Sequence, residues 1–199
     1  MDEVYSAASL AALAALPQDR PVSLLIRHSQ RVEILDSANV YNAGLTPEGI
    51  SAAVDFGFRL AQNRTLRRIV SSPVSRCVDT AVAIARGADW NLLVRIDDRI
   101  SHPFIRPVWQ SLPFIHYPDS PIPPELATLL RLLSAEPGSA GVIDVFVTHD
   151  TVVGSLAGYA TGLPVNNGST PNYLEGVFVW EEGQAFKILW RGISITIRK

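Results

Sequence analysis

Two apolar runs far apart in the chain each stop at a histidine. Leu24-Leu25-Ile26 leads into Arg27-His28, and Val145-Phe146-Val147 leads through Thr148 into His149-Asp150. A short, unbroken apolar run reads as a strand buried on both faces of a parallel sheet. Between the two runs the pattern switches to a helical period. Thr46-Pro47 supplies an N-cap and a proline at the first helical position, followed by Ala52, Ala53, Phe56 and Leu60. Residues 67–71 read as a strand. Ser72-Pro73 then repeats the cap signal ahead of Val74, Cys77, Val78, Ala81 and Ile84, a second helical face that stops near Gly87. Further strands are predicted over 92–96 and 142–148, and helices over 125–135 and 151–161. A hairpin of 174–180 and 185–190 turns at Glu182-Gly183, with a final strand over 193–197. Residues 101–124 are rich in proline and aromatics without a helical period, and read as a lid insert. The alternation predicts a single α/β domain over residues 1–199, a mostly parallel sheet with helices on both faces.

In such sheets ligands bind outside the carboxyl ends of the strands. If the two runs are neighbouring strands, His28 and His149 share a crevice with Arg27, Arg31 and Asp150. That set of groups suits chemistry on a phosphate. Composition adds limits. The chain has 199 residues and is 47% hydrophobic, enough for one sizeable core. A net charge of -2 gives no electrostatic basis for binding nucleic acid or an anionic membrane. The Ala/Leu stretch before Pro17 is too short to span a bilayer, and Asp2 and Glu3 stand where a secretory signal carries positive charge. It reads as an N-terminal helix packed on the domain. The single cysteine, Cys77, excludes an intrachain disulfide and fits a cytoplasmic protein; it reads as a helix packing residue. The four histidines are scattered, with no cluster of ligand spacing, so neither a metal nor a cofactor is expected. His102 and His116 read as surface or lid residues. Arg64, Arg67 and Arg68 read as a solvated basic face.

Four motifs in order resemble the histidine phosphatase superfamily and its phosphoglycerate-mutase-like fold. They are Leu25-Ile26-Arg27-His28-Ser29-Gln30-Arg31, then Leu45-Thr46-Pro47-Glu48-Gly49, then Ser71-Ser72-Pro73-Val74-Ser75-Arg76, and Thr148-His149-Asp150. The resemblance implies a phosphomonoester hydrolase that forms phosphohistidine on His28. It implies a phosphate clamp of Arg27, Arg31 and Arg76, with His149 donating to the equatorial oxygens. Guanidinium suits this role because it offers paired donors and stays charged. Imidazole attacks only when neutral, and neighbouring arginines favour the neutral ring. A phosphate or sulfate ion is expected between the two histidines, and a phosphorylated small molecule is the expected substrate.

Asp150, directly after His149, resembles the general acid of the superfamily's acid-phosphatase branch. Asp98 is the alternative acid. Asp150 is also well placed to cap the helix that follows. Within the insert, Arg106, Trp109, His116 and Tyr117 are the candidate substrate contacts. Ser29 departs from the family glycine and adds a hydroxyl beside the phosphate site. Two alternative readings follow: a catalytically silent phosphate-binding module, suggested by Ser29, and a phosphoglycerate-type mutase. The sequence says nothing of oligomeric state.

Overall fold

The computed structural model describes residues 7–36, 38, 40–91, 93–102, 106, 109, 117, 120–134, 140–163 and 170–199. The strands are β1 (Val22–Arg27), β2 (Thr65–Ser71), β3 (Arg95–Ile96), β4 (Val142–Thr148), β5 (Gly176–Glu182), β6 (Ala185–Trp190) and β7 (Ile193–Arg198). The helices are α1 (Ala7–Ala12), α2 (Pro47–Asn63), α3 (Ser75–Gly87), α4 (Pro124–Leu133) and α5 (Asp150–Thr161). The strands form one seven-stranded sheet in the order β3-β2-β4-β1-β5-β6-β7. From β3 to β1 the neighbours are parallel; β5, β6 and β7 add an antiparallel meander. Gly183 closes the β5–β6 turn with φ of 60°, a conformation that glycine adopts at low cost.

Both faces of the sheet are covered, as the unbroken apolar strands require. Phe56, Leu60, Cys77, Ala81 and Ile84 of α2 and α3 pack on Leu24, Ile26, Val145 and Val147. Leu126, Leu129, Leu130, Val152 and Leu156 of α4 and α5 pack on Leu25, Phe146 and Val177. Thr46 caps α2 by accepting the Gly49 N–H at 3.0 Å, with Pro47 opening the helix. Where α2 crosses α3 the backbones touch. A Cβ on Gly57 would overlap the Ile84 carbonyl.

Several boundaries move. Val74, not Ser72, is the N-cap of α3, because Ser72 still belongs to the sheet: its N–H donates to the Val147 carbonyl. β3 is only two residues long. Asp150 opens α5 at its first position and His149 is the N-cap residue. The N-terminal helix is short and passes into a 3-10 turn at Leu13–Ala15.

The basic run is not a solvated face. Arg64 is 3% exposed and donates to the carbonyls of Leu16 and Pro17, tying the N-terminal segment to the domain. Arg67 holds the fully buried Asp144 with two bonds, at 2.8 and 2.6 Å, and Arg68 adds a third at 2.9 Å. A register shift between Leu66 and Arg68 breaks the strict alternation of side chains. Two consecutive arginines therefore reach one carboxylate. Of the candidate insert contacts, Trp109 is buried in the α4–α5 core and Tyr117 packs against that core beside Tyr159. His116 lies outside the described residues.

The α2–α3 crossing yields a stability prediction. Gly57→Ala should cost about 1–3 kcal/mol, because the added methyl must push two helix backbones apart. Chemical denaturation reads this as a lower midpoint at unchanged slope.

Candidate active site

β1 and β4 pair in parallel with Arg27 opposite Thr148, so His28 and His149 leave the sheet side by side. The His28 N–H still donates to the Thr148 carbonyl at 2.9 Å. The two imidazole centroids lie 5.5 Å apart, edge to face, and both rings are buried.

The His28 Nδ1 stands 2.7 Å from the Ser29 carbonyl oxygen. A carbonyl only accepts, so Nδ1 carries the proton and Nε2 keeps its lone pair. That lone pair accepts the Arg76 Nε–H at 3.1 Å. Burial pushes the His28 pKa well below its usual 6.5. The bond to Ser29 opposes this, while Arg76, Arg27 and Arg31 reinforce it. The neutral, Nδ1-protonated ring is therefore the resting form.

Arg76, in the first turn of α3, is 2% exposed. Its other contacts are the Val40 carbonyl at 2.6 Å and the His149 Nδ1 at 3.4 Å. An arginine only donates, which leaves the His149 Nε2–H to face the Ser72 Oγ at 3.0 Å. Burial lowers the His149 pKa well below normal, followed by His28, Arg76, His102 and Arg27. Arg27 donates to the Pro171 carbonyl, lies over the Tyr173 ring and pairs with Asp150 at 2.9 Å. Arg31 stands at the rim, donating to the Val32 carbonyl, and its charge is felt at His28, Arg76 and His102.

Arg27, Arg76 and the two histidines thus meet, with Arg31 acting on them through its charge and Asp150 the carboxylate that pairs with Arg27. Asp98 does not join them: its side chain is 73% exposed and lies 4.0 Å from Arg106. Ser29 donates its hydroxyl to the Gly49 carbonyl at 2.7 Å. Its N–H donates to the Thr80 Oγ1.

Sequence reasoning missed several neighbours. The His102 ring sits 4.7 Å from His149 and 6.4 Å from Tyr41, and burial pushes its pKa down to about 4. His102 is a site residue rather than a surface one. Ser72 at the end of β2 and Tyr173 ahead of β5 also line the histidines. The rule that ligands gather at strand carboxyl ends points to Ser72 and to His102, which follows β3. No motif points to Tyr173. Cys77 packs 3.4 Å from the His149 Nε2, and burial pushes its thiol up to about 12. It is a packing group, not a nucleophile.

This fold and site define a class: an α/β protein with a buried histidine–arginine cluster at the carboxyl edge of its sheet. The model of the histidine phosphatase superfamily (branch 1) matches residues 23–102. That match spans 80 of the 199 residues, and over them the chain resembles the histidine phosphatase superfamily. The leaning toward the acid-phosphatase branch rests on Thr148-His149-Asp150 and on Arg31, whereas the model that matches is that of branch 1. Solved structures share the fold at low identity. Mycobacterial hydrolase 2 is 19% identical with a TM-score of 0.55, covering 90% of this chain and 92% of that one. Mycobacterial glucosyl-3-phosphoglycerate phosphatase in complex with inorganic phosphate is 18% identical with a TM-score of 0.53, covering 86% and 97%. The ecdysone phosphate phosphatase of Bombix mori in complex with tungstate is 12% identical with a TM-score of 0.52, covering 85% and 92%. No curated protein sequence matches the chain.

The depressed histidines make stability pH-dependent. Below about pH 6.5 the unfolded chain protonates these rings while the folded site resists, so the folded state loses ground as pH falls. The loss approaches roughly 1.4 kcal/mol per pH unit for each excluded proton. It continues until each folded pKa is reached, about 4 for His102. The urea midpoint should drop steadily from pH 7 to pH 5. A level midpoint would mean that the folded rings accept protons freely.

Proposed function

We propose that the protein is a phosphomonoester hydrolase acting through phosphohistidine on His28, with Asp150 as general acid. The observation that carries this reading is the orientation of His28. Its Nδ1–H is fixed on the Ser29 carbonyl, and its Nε2 lone pair faces a buried guanidinium. A nucleophile held in its reactive tautomer beside fixed cations is what phosphoryl transfer needs, since positioning and charge stabilisation supply most of the catalysis.

In this mechanism a phosphate enters between His28 and His149. The Arg76 donors leave the two imidazoles for phosphate oxygens, with Arg27 and Arg31 completing the clamp. His149 donates to an equatorial oxygen. His28 Nε2 attacks phosphorus in line as the bond to the leaving oxygen breaks; Arg27 turns from Asp150 to the phosphate, and Asp150, having taken a proton from solvent, passes it to the leaving oxygen. Water then attacks the phosphohistidine, Asp150 takes its proton, and inorganic phosphate departs with His28 restored. Asp150 is one-third exposed, which supports a role in protonating a leaving group that departs toward solvent. Its pairing with Arg27 holds it beside the clamp. Asp98 points into solvent, which supports Asp150 over it.

The Ser29 hydroxyl is engaged by the Gly49 carbonyl, which supports an active enzyme over a silent binding module. We assign no particular substrate beyond a phosphorylated small molecule. Much of the insert that would choose it lies outside the described residues. No described helix is long and apolar enough to cross a membrane. The buried, unreactive Cys77 suits a reducing cytoplasm. The whole chain is read as one domain.

Two variants test the roles. His28→Ala should abolish hydrolysis of an aryl phosphate with the unfolding midpoint preserved; substantial residual turnover would refute covalent catalysis. Asp150→Asn should slow an alkyl phosphate at least tenfold more than an activated aryl phosphate, whose leaving group needs little protonation. Equal losses would reduce Asp150 to a positioning role. The chemistry invokes no metal, so turnover is expected to persist in EDTA. Loss that one divalent ion restores would count against it.

A further inference from the structure

The catalytic edge of the sheet receives more than the ends of the parallel strands. β5 runs antiparallel to β1, so its start lies beside the carboxyl end of β1, with Gly176 opposite Ile26. β6 returns along β5, and Arg191, which follows it, comes back to the same edge. There Arg191 meets Glu175, the residue just ahead of β5. Glu175 is 3% exposed. Its two carboxylate oxygens take the Arg191 fork, Nε at 2.5 Å and Nη2 at 2.9 Å.

Glu175 holds the turn that precedes it. Its carboxylate accepts the Asn172 N–H at 2.8 Å, and its own N–H donates to the Asn172 carbonyl at 3.1 Å. The turn bends at Leu174, a buried residue with φ of 55°. A leucine in the left-handed region is strained and persists where its surroundings over-determine it. The bidentate Arg191 fork does so, and Arg191 Nη2 also reaches the Thr170 carbonyl at 3.4 Å.

That turn carries the groups that hold Arg27. The Pro171 carbonyl accepts from Arg27 Nη1 at 2.7 Å, and the Tyr173 ring centre lies 4.4 Å from the guanidinium carbon. The Glu175 carbonyl accepts the Arg27 backbone N–H at 3.0 Å. Once Arg27 turns from Asp150 to a phosphate, Pro171 and Tyr173 are left to aim it.

We propose that Glu175 and Arg191 are positioning residues for the phosphate clamp: the pair fixes the 170–175 turn, and the turn aims Arg27. The inference rests on the hydrolase reading, which makes Arg27 a phosphate ligand. A guanidinium aimed in advance binds an oxyanion without first losing its freedom.

Tungstate is the probe, with Arg191→Met as the variant. Arg191 is exposed, and methionine keeps an unbranched stem beside Trp190. Tungstate affinity by calorimetry and kcat/KM for an aryl phosphate should each fall about tenfold. In an Arg27→Ala background the same change should cost about twofold at most, because the group being aimed is gone. Without ligand, the Arg27 Nε–Hε NMR signal, identified by its absence from Arg27→Ala, should shift in Arg191→Met. A pair that served stability alone would lower the unfolding midpoint, leave that signal in place and cost the same in both backgrounds. An unmoved signal or equal losses would each overturn the proposal. Wild-type protein that binds tungstate but hydrolyses no ester would refute the hydrolase reading alone, and the tungstate cycle would still decide this one. If Arg191→Met does not fold, Glu175→Gln takes its place in the same cycle, since glutamine keeps an acceptor for the Asn172 N–H.

Discussion

The parallel pairing of β1 with β4 is the constraint on which the site depends. Its register sets Arg27 opposite Thr148, and the next residue on each strand is a histidine. A slip of one residue would turn His28 and every side chain before it to the opposite face. The apolar runs prevent that slip, because each face of the sheet must meet its own helical layer. Packing energy spread over many side chains therefore fixes the distance between the two histidines.

Around that pair the protein keeps a buried cation. Arg76 is nearly inaccessible, and its hydrogen bonds go to two imidazoles and a carbonyl rather than to a carboxylate. Burying charge in this way is costly, and burial lowers the Arg76 pKa. The same arrangement keeps both histidines neutral and provides positive potential where an anion would sit. Asp144 shows the opposite solution on the same sheet, where a buried carboxylate recruits two arginines.

The site extends beyond the motif residues through the strand ends. Ser72 and His102 stand after β2 and β3, and both face His149. Tyr173 arrives from the connection ahead of β5, beneath the Arg27 guanidinium. Two described residues of the insert, Trp109 and Tyr117, serve the α4–α5 core.

Local pattern was enough for the elements and for the central crevice. Short apolar runs, Thr46-Pro47 and the helical spacing after it, and the turn at Glu182-Gly183 each act over a few residues, so a linear reading detects them. The two strand-end histidines and Arg76 were legible for the same reason, since each sits at a fixed offset from its strand or helix start. Other features depend on residues that meet only in space. Arg64, Arg67 and Arg68 look like a solvated run until Leu16, Pro17 and Asp144 come under them. His102 looks peripheral until the end of β3 is brought beside β2 and β4. The tautomer of His28 is set by where one carbonyl points, and the pairing of Arg27 with Asp150 by where two strands end. Sequence determined which strands and helices form and which groups they carry; tertiary structure decided each group's partner, because burial and hydrogen bonding depend on distances that chain order does not encode.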